Sequence, residues 1–127
     1  MIDHVSVAVR DLAKAEAFYT ALLAPLGMTK LREWSGAAIG FGRKYPEFWI
    51  NRRDAMDRVA SDSGVHICLR APDTEAVGAF HAAAVTSGGV SDGAPGLRKE
   101  YHDNYYAAFI RDPDGNRIEA VAFLRND

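Results

Sequence analysis

The sequence predicts an α+β fold, with two βαβββ modules in tandem inside one domain of 127 residues. Three observations support this prediction. The chain repeats itself once, each copy opens with a strand pattern that leads into a helix pattern, and further strand patterns fill the rest of each copy. We place the first module at residues 1–58 and the second at residues 62–127.

The repeat is visible when residues 4–28 are aligned with residues 66–90 without a gap. Six of the 25 aligned positions are identical, whereas ordinary composition would give about two. Because each copy also shows the same order of elements, we interpret the chain as two copies of one structural unit. The identical pairs are His4/His66, Asp11/Asp73, Ala17/Ala79, Phe18/Phe80, Ala21/Ala83 and Gly27/Gly89.

Each copy begins with apolar residues at every second position, which predicts a half-buried strand. Asp11 and Asp73 follow these strands and are suited to cap the helices that come next. The helix patterns end before Gly27 and Gly88-Gly89, which are typical C-terminal glycines. Further strands are predicted at Met28–Trp34, Ala37–Phe41, Phe48–Asn51, Tyr105–Arg111 and Arg117–Phe123, with one more inside Ser87–Asn104, a turn at Asp112–Asn116 and a polar connector at residues 52–63.

Composition excludes several classes of protein. The formal net charge is −2, so no basic excess supports contacts to the phosphates of nucleic acid. The single cysteine, Cys68, excludes an internal disulfide and a cysteine-based zinc finger. The sequence has neither a signal-peptide pattern at its start nor an apolar run of membrane-spanning length. We therefore expect a cytoplasmic protein that binds neither nucleic acid nor membrane.

The repeated histidines suggest a metal site. His4 and His66 lie at the same position of the two copies, on the strand face opposite the apolar residues. Glu119 is an acid in an otherwise apolar strand, and such a residue needs a partner if it is buried. Two histidines and one carboxylate form a common ligand set that leaves coordination positions open. Taken one at a time, each of these residues is more often structural or exposed than a ligand.

The sequence resembles the vicinal oxygen chelate superfamily, of the glyoxalase, bleomycin-resistance and extradiol dioxygenase type, and within it a single-domain subgroup. The resemblance spans nearly the whole chain, and its most specific motif is the run from Asp112 to Glu119. The other motifs are Ile2-Asp3-His4-Val5, Asp11 through Phe18-Tyr19, Leu26-Gly27 and Val65-His66-Ile67, and the subgroup is marked by Phe48-Trp49, residues 93–98 and residues 105–108.

The resemblance implies a cupped, eight-stranded mixed sheet around a divalent ion held by His4, His66 and Glu119. The ion could be Mn, Fe, Ni, Co or Zn, and it would stabilise an oxyanion or enolate of a small oxygen-bearing substrate. The resemblance also implies a homodimer. The equivalent of Glu119 in the first module lies within residues 47–51. Trp49, which cannot ligate, fits its position best, while Glu47 and Asn51 share the same strand face but fit the register less well. This disfavours methylglyoxal isomerisation.

Two function classes remain open. The favoured one is a metal-dependent lyase, thiol transferase or dioxygenase. The alternative is a metal-free protein of the bleomycin-resistance type that binds or sequesters a small molecule. Candidate catalytic residues are His102 and Tyr105, and candidate substrate-binding residues are Trp49, Arg98, Tyr106 and Cys68.

Overall fold

The computed structural model describes residues 1–125 of the chain. Within them, no helix is both long enough and apolar enough to cross a membrane. The elements are β1 (Val5–Val9), α1 (Leu12–Leu23), a short 3-10 turn (Ala24–Leu26), β2 (Thr29–Trp34), β3 (Ala38–Gly42), β4 (Phe48–Arg52), β5 (His66–Arg70), α2 (Thr74–Thr86), β6 (Val90–Leu97), β7 (Tyr105–Arg111) and β8 (Arg117–Phe123). This order confirms the predicted pair of βαβββ modules.

Both helices begin at the predicted capping residues. The Asp11 carboxylate accepts a hydrogen bond from the backbone N of Lys14 at 3.1 Å, and Asp73 accepts from Ala76 at 2.8 Å. These bonds satisfy amide groups that have no partner inside the first helical turn. After the 3-10 turn, Gly27 reverses the chain at φ +80°, a left-handed conformation that glycine adopts at little cost.

The eight strands form two separate four-stranded sheets, with the orders β1-β4-β3-β2 and β5-β8-β7-β6. In each sheet the first strand of the module pairs in parallel with the last, and the other pairs are antiparallel. The eight predicted strands are thus divided between two mixed sheets. Within residues 1–125, β1 and β5 both lie at sheet edges and no backbone ladder joins them.

The two modules are joined by their helices and by the turn at residues 112–116. Helices α1 and α2 pack against each other, and the apolar face of each sheet contributes to one continuous core. From the turn, Asn116 Nδ2 donates to the carbonyl oxygen of Ala8 at 2.9 Å, and Asp114 pairs with Arg10 at 2.7 Å. The opposite face of the second sheet carries Cys68, Tyr105 and Glu119, and that of the first sheet carries Trp49.

Candidate functional site

Three neighbouring strands of the second sheet bring a glutamate, a histidine and a tyrosine together. His66 Nε2 on β5 lies 3.0 Å from Oε1 of Glu119 on β8. The hydroxyl of Tyr105 on β7 donates a hydrogen bond to Oε2 of the same carboxylate. Glu119 is 2% exposed, whereas the His66 side chain is 50% exposed. The carboxylate is therefore buried with both oxygens engaged, and its histidine partner faces solvent.

The strand registers show what the first module has in place of Glu119. In the second sheet Cys68 lies opposite Glu119, and in the first sheet Ser6 lies opposite Trp49. Ser6 aligns with Cys68 in the internal repeat. An indole therefore occupies the position in the first sheet that a carboxylate occupies in the second.

The surroundings of the cluster hold its hydroxyl and thiol groups in their protonated forms. Burial, together with the hydrogen bond to Glu119, raises the pKa of Tyr105 well above its usual value. Loss of solvent around the sulfur, followed by the negative charge of Glu119, raises the pKa of Cys68 to about 12. Tyr105 is therefore a hydrogen-bond donor at neutral pH, and Cys68 is a neutral thiol rather than a thiolate nucleophile.

His4 lies just before β1, on the first sheet, and does not join this cluster within one chain. Its Nδ1 lies 2.7 Å from Oδ1 of Asp3, and both side chains are more than half exposed. In the described part of the chain, no three His, Cys, Asp or Glu side chains come close enough to hold a metal ion. The structure thus brings together His66 and Glu119 of the proposed ligand set, and leaves His4 apart.

The chemistry of the donors suits a divalent ion, but the cluster is incomplete. His66 and Glu119 supply one nitrogen and one oxygen donor, which fit Mn, Fe, Ni, Co or Zn. Both side chains lie on neighbouring strands of a rigid sheet, 3.0 Å apart. The pair therefore fits part of a metal site, and a third protein ligand has to come from outside this cluster.

The two candidates from the irregular loop lie beside the cluster. Arg98 Nη2 donates to the carbonyl of Ala94 at 2.6 Å, and its guanidinium lies 5.4 Å from the ring centre of Phe109. The exposed His102 accepts a hydrogen bond at Nδ1 from the backbone N of Asn104 at 3.1 Å. The hydrogen bonds of His66 and Glu119 within residues 1–125 involve neither of these side chains. The local fold therefore holds Arg98 and His102 in place without joining them to the cluster.

Tyr105 and Tyr106 point to opposite faces of the second sheet. Tyr106 lies opposite Ala122 of β8 and packs against the buried core. Tyr106 therefore lies on the helix side of β7, away from the cluster. Tyr105 faces the cluster.

A second candidate site lies on the outer face of the first sheet. It is a cavity of about 510 Å³, a size common for sites that bind small molecules. Sequence reasoning missed Tyr45 and Arg53, because they follow strands in segments interpreted as loop or connector. The signal for Arg53 was its spacing from Trp49, because residues 49, 51 and 53 of an extended chain share one face. The lining includes His4, Trp34, Tyr45, Pro46, Trp49 and Arg53.

A family model described as the Glyoxalase/Bleomycin resistance protein/Dioxygenase superfamily matches residues 1–120. A search of curated proteins found no match. Among solved structures, a glyoxalase/bleomycin resistance protein from Albidiferax ferrireducens T118 is 32% identical, with a TM-score of 0.80. The alignment covers 93% of this chain and 95% of that one.

More distant structures share the fold. A bleomycin resistance determinant encoded on the transposon Tn5 is 20% identical, with a TM-score of 0.64 and coverage of 94% of this chain and 95% of that chain. A mutant of the fosfomycin resistance protein FosX from Listeria monocytogenes, solved with Mn(II) and 1S,2S-dihydroxypropylphosphonic acid, is 16% identical. Its TM-score is 0.70, with coverage of 96% and 89%.

Proposed function

The chain belongs to the Glyoxalase/Bleomycin resistance protein/Dioxygenase superfamily, and from this premise we propose that it is a divalent-metal-dependent enzyme acting on a small oxygen-bearing substrate. The observation that carries the proposal is the pair formed by His66 and Glu119. The Glu119 carboxylate is 2% exposed in an apolar strand, and burying a charged group in this way costs free energy of folding. Its position beside an exposed imidazole is what a metal ligand requires.

A second copy of the chain supplies the third ligand, His4, in this proposal. His4 and His66 are equivalent in the internal repeat, and each lies on the exposed face of its own sheet. In a twofold-symmetric dimer the same surfaces of both chains meet, so the first sheet of one chain can face the second sheet of the other. Such a dimer has two equivalent sites, each built from both chains.

A divalent ion in this site would act as a Lewis acid and stabilise negative charge that develops on a substrate oxygen. The residues of the chain orient and restrain the site. Tyr105 holds the second oxygen of Glu119 through its hydroxyl, which fixes the orientation of that carboxylate. The neutral thiol of Cys68 lies 3.8 Å from the Tyr105 hydroxyl and contributes contact surface. Lyase, thiol transfer and dioxygenase chemistry all remain compatible with this arrangement.

The test is elemental analysis of untagged protein together with the variants His4→Ala, His66→Ala and Glu119→Gln. We expect near-stoichiometric Mn, Fe, Ni, Co or Zn in the unchanged protein and a sharp loss of metal in all three variants. His81→Ala is the matched control, because His81 lies on α2 and bonds to Ser91 away from the cluster. Full metal occupancy in the three variants would contradict the proposal.

A second candidate function is metal-free binding of a small molecule. The observation that favours it is the aromatic cavity on the first sheet, which is complete within one chain. If the protein contains no metal, even after soaking with these ions, and still binds an organic ligand in this cavity, the binding function replaces the enzymatic one.

A further inference from the structure

The cavity on the first sheet has a rigid aromatic floor. The Trp49 ring lies against Gly40 on the neighbouring strand, and a Cβ at position 40 would come within 2.8 Å of the indole. The indole Nε1 donates to the carbonyl of Pro46 at 3.1 Å, which fixes the rotation of the ring. One face of the indole is therefore covered by the strand, and the ring also borders the cavity.

A second indole forms a wall beside this floor. The ring centres of Trp34 and Trp49 are 5.8 Å apart and their planes are inclined by 57°. Trp34 is 67% exposed, an unusual degree for so large an apolar side chain. The two indoles therefore contact each other and form an aromatic corner along the cavity. A flat ring that stacks on an exposed face of this pair gains contacts that an aliphatic group cannot match.

The polar end of the cavity is organised around one arginine. Asn51 Nδ2 donates to Ser6 Oγ at 2.7 Å, and Asn51 Oδ1 accepts from Arg53 Nε at 2.9 Å. This chain of hydrogen bonds orients the guanidinium. No carboxylate within residues 1–125 forms an ion pair with Arg53.

The acid next to His4 in the chain, Asp3, forms its side-chain hydrogen bonds with His4 and Tyr45. The Asp3 carboxylate is occupied by His4 Nδ1 at 2.7 Å and by the Tyr45 hydroxyl at 2.9 Å. The cavity thus combines two aromatic walls with a positioned guanidinium, which favours bidentate contact to a planar anion.

We propose that this cavity binds a planar aromatic carboxylate, with its ring stacked against the indole pair of Trp34 and Trp49 and its carboxylate on Arg53. The inference rests on the proposed function for the role of this molecule as substrate. Binding itself needs only residues of one chain and no metal. The polar contact comes from Arg53, and the preference for an aromatic ring comes from the exposed faces of the two indoles.

The chain offers a built-in reporter, because its two tryptophans are both in this cavity. Benzoate is titrated into the protein as purified and after treatment with a chelator, while tryptophan fluorescence is recorded. Cyclohexanecarboxylate, which lacks the aromatic ring, and benzamide, which lacks the charge, are the matched probes. We expect a saturable change in fluorescence with benzoate in both preparations. We expect the other two probes to bind at least about tenfold more weakly than benzoate.

The variant Arg53→Gln tests the polar contact, and Arg58→Gln is its control, because Arg58 bonds to the Pro113 carbonyl elsewhere. We expect Arg53→Gln to weaken benzoate binding about tenfold or more and Arg58→Gln to leave it unchanged. Equal binding of the three probes, unaltered binding by Arg53→Gln, or no saturable response overturns the inference. Since the readout does not require metal, its failure is distinct from a failure of the proposed metal site.

Discussion

Tyr105 and Glu119 meet across neighbouring strands of the second sheet, where the phenol hydroxyl donates a hydrogen bond to Oε2 of the buried carboxylate. His66 faces the other oxygen of the same carboxylate at 3.0 Å. Tyr105 therefore acts as a positioning residue for a proposed metal ligand. This relationship leads to the first prediction.

Replacing Tyr105 by Phe removes the donor and leaves one oxygen of a buried carboxylate without that partner. We expect metal affinity to fall about 10–100-fold, as is typical when a partner of a ligand is lost. We also expect the unfolding free energy to fall by about 1–3 kcal/mol. Titration with Mn²⁺ and urea denaturation measure the two effects.

Tyr101→Phe is the matched control for this change. Its ring contacts Tyr105 edge-on, with ring centres 5.2 Å apart, but Tyr101 is 62% exposed. We expect it to leave metal affinity unchanged. Equal metal affinity in Tyr105→Phe and the unchanged protein would show that Tyr105 does not position Glu119.

Tyr19 and Asp112 give a second prediction at the joint between the modules. The buried Tyr19 hydroxyl donates to Asp112 Oδ2 at 2.6 Å. Burial raises the pKa of Asp112, and the bond from Tyr19 partly offsets that rise. Without the hydroxyl, the folded-state pKa of Asp112 rises further, so the variant Tyr19→Phe loses most stability where Asp112 is ionised.

We expect Tyr19→Phe to lower the unfolding free energy by about 1–3 kcal/mol at neutral pH. This loss of unfolding free energy should shrink as the pH falls towards 3.8, the usual pKa of an aspartate. The carboxyl group of Asp112 in the folded protein is then protonated. Urea denaturation at the two pH values measures this. Tyr45→Phe, whose hydroxyl bonds to the exposed Asp3, is the control, and a loss that is constant with pH would contradict the account.

Gly40 gives a third prediction, about the aromatic floor of the first-sheet cavity. A Cβ there would lie 2.8 Å from the Trp49 ring and 2.9 Å from Cβ of Pro46. Gly40→Ala should therefore displace the indole, shift its fluorescence and cost about 1–3 kcal/mol of unfolding free energy. Unchanged fluorescence and stability would show that the ring does not depend on this glycine.

Gly78→Ala is the control, since a Cβ at that position of α2 meets no atom within 4 Å among the described residues. Alanine is the better helix former by roughly 1 kcal/mol. We therefore expect Gly78→Ala to stabilise the protein slightly and to leave the tryptophan fluorescence unchanged. The opposite signs of the two glycine variants separate a local clash from a general effect of adding a methyl group.

The sequence was most informative where signals are local. Capping by Asp11 and Asp73 and the bounds of the last two strands, Tyr105–Arg111 and Arg117–Phe123, agree with the structure. These signals depend on neighbouring residues, on the 3.6-residue and two-residue periods, and on a turn of strong composition. By contrast, β6 could be assigned only to a broad segment, because it contains Gly93, Gly96 and two shifts in register.

Long-range geometry accounts for what the sequence could not predict. The repeat identified His4 and His66 as equivalent, but not that His4 lies beside Asp3, apart from the pair of His66 and Glu119. The sequence also could not show which of Tyr105 and Tyr106 faces the cluster, because that depends on which face of β7 packs on the core. Arg53 was missed because its role depends on a hydrogen bond to Asn51 and on the cavity shape.

The central claim is that each metal site is built from two chains. Mixing two variants that each fail to bind metal tests this claim most directly. In a dimer of one His4→Ala chain and one Glu119→Gln chain, one site has both defects and the other has none. About half of the dimers formed by random pairing are of this mixed type, so the mixture should regain about one quarter of the metal of the unchanged protein. Each variant alone should bind almost none. If the mixture binds no more metal than either variant alone, the two-chain site is contradicted.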